Sequence, residues 1–187
     1  MIAQSVGAVL VATWIHDYAP AIRGLVLASP AFKVKLYVPL ARPGLALWHR
    51  LRGLFFINSY VKGRYLTHDR QRVASFNNDP LITRAIAVNI LLDLYKTSER
   101  IIRDAAAITL PTQLLISGDD YVVHRQPQID FYQRLRSPLK ELHLLPGFYH
   151  DTLGEENRAQ AFEKMQSFIS RLYANKSQKF DYQHEDC

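Results

Sequence analysis

Two short stretches decide what this chain can fold into. Gly24-Leu25-Val26-Leu27-Ala28 and Gln113-Leu114-Leu115-Ile116-Ser117 carry apolar residues at consecutive positions rather than at alternate ones. Successive residues of a strand point to opposite faces, so such a run must be covered on both sides. That is the pattern of an interior strand in a parallel sheet flanked by helices. Ser29-Pro30 stops the first run, and Gly118-Asp119-Asp120 stops the second. A third run, Glu141-Leu142-His143-Leu144-Leu145, alternates and ends at Pro146-Gly147, as a strand with one wet face does. Helices are predicted from Val6 to Asp17, closed off by Pro20, from Pro127 to Leu135, and from Glu156 to Tyr173. The first of these, apolar with small residues on one side, is expected to be buried. Strands alternating with helices define an α/β class with a mostly parallel sheet.

Between the two buried strands the texture changes. From about Lys33 to Ala107, aromatic, leucine and arginine residues mix at helical spacing, broken at Pro39, Pro43-Gly44 and Asn78-Asp79-Pro80. One amphipathic helix is expected from Ile82 to Tyr95 and another from Ser98 to Ala106. This segment is predicted to be a helical insert. Ala174 to Cys187 is polar, lacks apolar periodicity and is predicted to be a tail or linker.

Composition narrows the class. A chain of 187 residues, 48% hydrophobic, can bury one substantial core. Its net charge of +6 is spread along the sequence, with no arginine-rich block, zinc spacing or aromatic RNA-binding signature. These absences argue against a nucleic-acid partner, while a basic surface remains compatible with anionic lipid. Cys187 is the sole cysteine, so no internal disulfide forms and a reducing, cytoplasmic compartment is expected. The apolar stretch from Met1 to Ile15 has no positive leading segment and is too short to span a bilayer. No two histidines have the spacing of a helical metal pair, so no metal is predicted.

In open α/β sheets, sites form beyond the carboxyl ends of the strands. Three chemistry-bearing residues fall there. Ser5 lies in Ala3-Gln4-Ser5-Val6-Gly7, a small-x-Ser-x-Gly turn between an apolar stub and a helix. Small flanking residues suit a sharp bend in which helix and strand approach closely. Asp120 follows the second buried strand, and His150 follows the third strand. A serine hydroxyl needs a base to attack a carbonyl, imidazole can serve as that base, and a carboxylate can orient the imidazole. Each residue also has a plainer role available: Ser5 as a helix cap, Asp120 in a solvated turn, His150 capping the final helix region. The start of the first helix beneath Ser5 offers unpaired backbone N–H groups and a positive dipole end.

These stretches together resemble the α/β-hydrolase superfamily. The likeness is to its group of monoacylglycerol lipases, lysophospholipases and serine aminopeptidase-like hydrolases. The resemblance rests on the elbow at Ser5, "GLVLASPA", "NNDPLITR", "LLISGDDYVV" and "LPGFYHDTLGE", and covers about residues 1 to 172. The order Ser5, Asp120, His150 is the family's order, and Asp120 is preferred to Asp119 because Tyr121-Val122-Val123 resembles the run after the family's acid. Ala3 stands where the family has the first glycine of the elbow. The resemblance implies ester hydrolysis through an acyl-enzyme, the backbone N–H of Val6 as an oxyanion donor, no cofactor, and an insert that lids the site. In the insert, Leu45, Leu47, Trp48, Leu51, Leu54, Phe55 and Phe56 interleave with Arg42, Arg50 and Arg52. Such a face suits an acyl chain or an anionic membrane, and equally suits packing of the lid on the core. Family members place further strands before the nucleophile, so residues 1–173 are expected to be a hydrolase domain lacking its first strands and one oxyanion donor. A bacterial subgroup joins such a domain to a methyltransferase, which would make residues 174–187 the start of a linker. A non-catalytic binding or assembly module is the other class this pattern allows.

Overall fold

The computed structural model describes residues 1–36 and 41–181. In chain order these form β1 (Ile2–Gln4), α1 (Ser5–Tyr18), β2 (Leu25–Ala28), α2 (Ala41–Arg52), β3 (Phe56–Asn58), α3 (Arg70–Asn78), β4 (Ala85–Ala87), α4 (Val88–Arg103), β5 (Thr112–Ser117), α5 (Gln126–Arg134), β6 (Lys140–Leu145) and α6 (Ala159–Asp181). Pro39, His184 and Cys187 lie outside the described residues.

Among the described residues the main sheet has four strands in the order β1-β2-β5-β6, and every neighbouring pair is parallel. The two continuous apolar runs occupy its interior, as β2 and β5, and every residue of both is buried. Strand alternation then divides the core. Leu25 and Leu27 join Leu114 on one face, against Ala8, Val9 and Ala12 of α1, Ile101 of α4 and Phe131 of α5. Val26 and Ala28 join Leu115 on the other, against Ala161, Met165 and Phe168 of α6. A one-residue slip would exchange these two sets, so register is held by packing on both sides.

α1 differs from its expected burial. Ala8, Val9, Ala12 and Ile15 are buried, but Val6, Leu10, Trp14 and Tyr18, at four-residue spacing along the opposite face, are exposed. An apolar stripe at this spacing reports a face that favours cover, not that a neighbour is present to supply it. β1 forms the adjacent edge of the sheet, and its Ile2 is also exposed.

The insert between β2 and β5 is mostly helical, with a short antiparallel pair, β3 with β4, that periodicity did not foretell. The two helices expected over Ile82–Tyr95 and Ser98–Ala106 are instead one, α4, preceded by β4. Ser98 does not interrupt it, because Leu91, Leu92, Tyr95, Ser98 and Ile101 share the buried face. α6 continues past Tyr173 into the segment read as a tail.

Candidate active site

The chain leaves β1 and enters α1 with no intervening loop, so Ser5 takes the whole bend. Its φ is 55°, a left-handed conformation that costs a residue with a Cβ roughly 1–3 kcal/mol. The Ser5 carbonyl accepts the Ala31 N–H at 3.1 Å, which ties the bend to the segment after β2. The hydroxyl does not cap the helix. Gln4 occupies the cap position without a side-chain bond to the helix. Ser5 Oγ lies 2.7 Å from Nε2 of His150. Gly7 is not needed for close approach, because a Cβ there would meet nothing within 4 Å.

Gly118 is a glycine that close packing requires. A Cβ on it would sit 2.7 Å from the Leu145 carbonyl oxygen and 2.9 Å from Cα of Pro146. Its absence lets the turn after β5 lie directly on the loop after β6. Gly118 N–H donates to Leu145 O at 2.8 Å, and Asp119 N–H donates to Phe148 O at 2.9 Å. The two loops thereby present Asp120 and His150 to each other, both nearly buried, at 8% and 6% exposure.

The hydrogen bonds assign the carboxylate oxygens of Asp120. Oδ1 accepts the Val122 and Val123 N–H groups at 2.7 and 2.9 Å. Oδ2 faces Nδ1 of His150 at 2.8 Å. A carboxylate can only accept, so Nδ1 carries the ring proton there and Nε2 of the neutral ring is left to accept from Ser5. The arrangement can draw a proton from a hydroxyl and hold the resulting imidazolium beside a negative charge. Val6 and Gly7 follow in the first turn of α1, where backbone N–H groups have no partner within the helix.

Sequence reasoning missed the supports of this arrangement. Thr152, two residues past His150, places its hydroxyl 2.9 Å from those of both Ser29 and Ser117, and all three residues are buried. The ends of β2 and β5 are thus pinned to the histidine loop. His68 of the insert donates its backbone N–H to buried Glu155 at 3.0 Å and meets the same carboxylate through Nδ1. The His68 ring also packs 3.8 Å from that of Tyr149. Burial, together with the neighbouring Tyr121, pushes the Tyr149 phenol above its ordinary value. Among the other histidines, His16 and His143 pair with adjacent carboxylates and His49 bonds a backbone carbonyl. No group of three or more His, Cys, Asp or Glu side chains that could hold a metal ion occurs among the described residues.

Ser5 and His150 open onto a cavity of about 560 Å³. It is walled by Val9, Leu10 and Val6 of α1, Ile57 of β3, Ile86 of β4, and Leu91 and Leu94 of α4, with Val122 and Val123 at the acid turn. The lining is mostly aliphatic, with Asn58, Asp93 and Thr97 among its polar members, and the insert supplies one side of it.

A family model described as serine aminopeptidase, S33, matches residues 1–157. The chain is 98% identical over 187 residues to the Escherichia coli (strain K12) protein YnbC, covering 100% of this chain and 32% of that protein. It therefore spans about a third of that relative's length. The Bacillus subtilis protein named phospholipase YtpA is 24% identical, over 91% of this chain and 67% of its own length. In fold, a crystal structure of Paleococcus ferrophilus monoacylglycerol lipase superposes with a TM-score of 0.80, at 19% identity, over 90% of this chain and 67% of the other. The sheet and its helices are thus those of an α/β-hydrolase.

Proposed function

The chain belongs to the serine aminopeptidase, S33, family, and from that membership we propose that it is a serine hydrolase cleaving the carboxylic ester of a mono-acyl lipid, a lysophospholipid or a monoglyceride. Ser5 Oγ attacks the ester carbonyl while His150 Nε2 takes its proton, and Asp120 holds the imidazolium. The tetrahedral oxyanion rests on the Val6 N–H. His150 returns the proton to the leaving alcohol, and water then releases the fatty acid from the acyl-serine by the same steps. No cofactor enters.

The observation that carries this reading is the hydroxyl–imidazole–carboxylate line of 2.7 and 2.8 Å opening on an aliphatic cavity. A cavity of that size accommodates an acyl chain, and burial of each methylene there is worth about 0.8 kcal/mol. Relatives named phospholipase and monoacylglycerol lipase support a lipid ester as the substrate. Exposed Leu47, Trp48 and Leu51 of α2, interleaved with Arg50 and Arg52, suit peripheral contact with anionic lipid in the cytoplasm. No helix among the described residues is long and apolar enough to cross a membrane.

A fluorophosphonate probe tests the nucleophile. It should label the protein at Ser5, and Ser5→Ala should abolish both labelling and hydrolysis of monoacylglycerol. Labelling that survives the substitution rejects Ser5. A second reading, a catalytically incomplete module that binds or assembles, draws support from the exposed apolar stripe of α1 beside the β1 edge. It predicts no labelling of these 187 residues alone and labelling of the Escherichia coli relative, of whose length they match about a third.

A further inference from the structure

The residues next to Ser5 and His150 are joined to each other. Gln4, the last residue of β1, donates from Nε2 to Oδ1 of Asp151 at 2.8 Å. Its Oε1 accepts the Leu153 N–H at 3.0 Å. The backbone donor fixes which end of the Gln4 amide is oxygen, so the nitrogen must face the carboxylate. The other oxygen of Asp151, Oδ2, accepts from Nε of Arg72 on α3 at 2.9 Å. Arg72 reaches it by crossing the backbone of Gly154, where a Cβ would lie 2.1 Å from that same Nε. The Asp151 N–H also donates to the Leu66 carbonyl of the insert at 2.7 Å.

We propose that Gln4 and Asp151 are positioning residues that set the Ser5–His150 distance, and that Arg72 makes this distance depend on how the insert is seated. Each member of the reacting pair has a backbone neighbour on the bridge. Sliding the histidine loop away from β1 must therefore break the Gln4–Asp151 and Gln4–Leu153 bonds together. Lifting α3 removes the cation that orients the Asp151 carboxylate. The role rests on the proposed reaction, but the contacts can be tested without it.

Gln4→Glu is close in shape and keeps an acceptor for Leu153, yet sets one carboxylate against another at the site of a 2.8 Å bond. The rate of fluorophosphonate labelling should fall about 10- to 100-fold, the scale of a small misplacement of reacting groups. Adding Asp151→Asn should recover most of that loss, because the introduced amide can donate to the introduced carboxylate. Arg72 is half-exposed, so Arg72→Ala leaves the core intact and should slow labelling about three- to tenfold with an unchanged melting temperature. Nitrogen-15 NMR of the His150 ring reports the bridge without turnover: its signals should move with Gln4→Glu and return in the double variant. Ser5→Ala decides the proposed reaction separately. Unmoved His150 signals in Gln4→Glu, or a double variant worse than either single one, would overturn the bridge whatever Ser5→Ala does. Labelling of Arg72→Ala within twofold of the parent would overturn the link to the insert.

Discussion

Asp120→Asn separates folding from chemistry in one substitution. The carbonyl oxygen of the new side chain can still accept the Val122 and Val123 N–H groups that Oδ1 now accepts at 2.7 and 2.9 Å. No buried backbone donor is orphaned, so stability should change by about 1 kcal/mol or less. The other end becomes an NH₂ facing Nδ1 of His150, where Oδ2 now lies at 2.8 Å. Two donors cannot meet there, so the ring must turn its Nδ1 lone pair toward the amide and carry its proton on Nε2. That proton then points at Ser5 Oγ, and the base is lost. A ring held in the wrong tautomer lowers turnover by about 10⁴-fold, or about 5 kcal/mol at 1.36 kcal/mol per factor of ten. The assay pairs fluorophosphonate labelling kinetics at neutral pH with urea denaturation of the same samples. Asp120→Ala serves as the contrast, since it strands two buried N–H groups and should lose about 1–3 kcal/mol for each as well as activity. An Asp120→Asn protein that folds normally and labels within tenfold of the parent would refute the tautomer reasoning.

Two further outcomes follow from packing and charge. Phe131 is fully buried beneath the sheet, its ring 4.8 Å from that of Phe32, so Phe131→Ala should cost about 3–5 kcal/mol in urea denaturation. The Arg100 hydrogen bonds at 2.6 and 2.9 Å, with His16 second, hold the Asp17 carboxyl well below the usual carboxylate range. A depressed carboxyl stabilises the fold above its unfolded value, near about 4, and that contribution fades as pH falls toward the folded value. Asp17→Asn should therefore flatten the acid-side decline in melting temperature below about pH 4, while a parallel decline in both proteins would exclude this pair as a source.

The parallel sheet was legible because β2 and β5 are short apolar runs bounded by turn residues and alternate with helical segments, as strands covered on both faces do. Ser5, Asp120 and His150 were legible because each follows a strand, so the geometry of an open sheet brings them to one rim. What escaped notice depends on neighbours. The apolar stripe of α1 is marked in the sequence, but whether anything covers it is a tertiary fact. β3 and β4 are three residues each, too short for alternation to show. Thr97-Ser98 looks like a helix boundary until the small hydroxyl of Ser98 fits under the buried side of α4. Gln4 and Asp151 flank Ser5 and His150 in sequence, and that adjacency was the available signal. The bond between them depends on how β1 and the histidine loop meet.

Ser5 holds its hydroxyl in a backbone shape that only glycine adopts freely. The most direct route to a sturdier protein would be to exchange that serine for glycine, and the result would be inert on the proposed reading. On that reading, selection for heat resistance alone would push this chain toward silence.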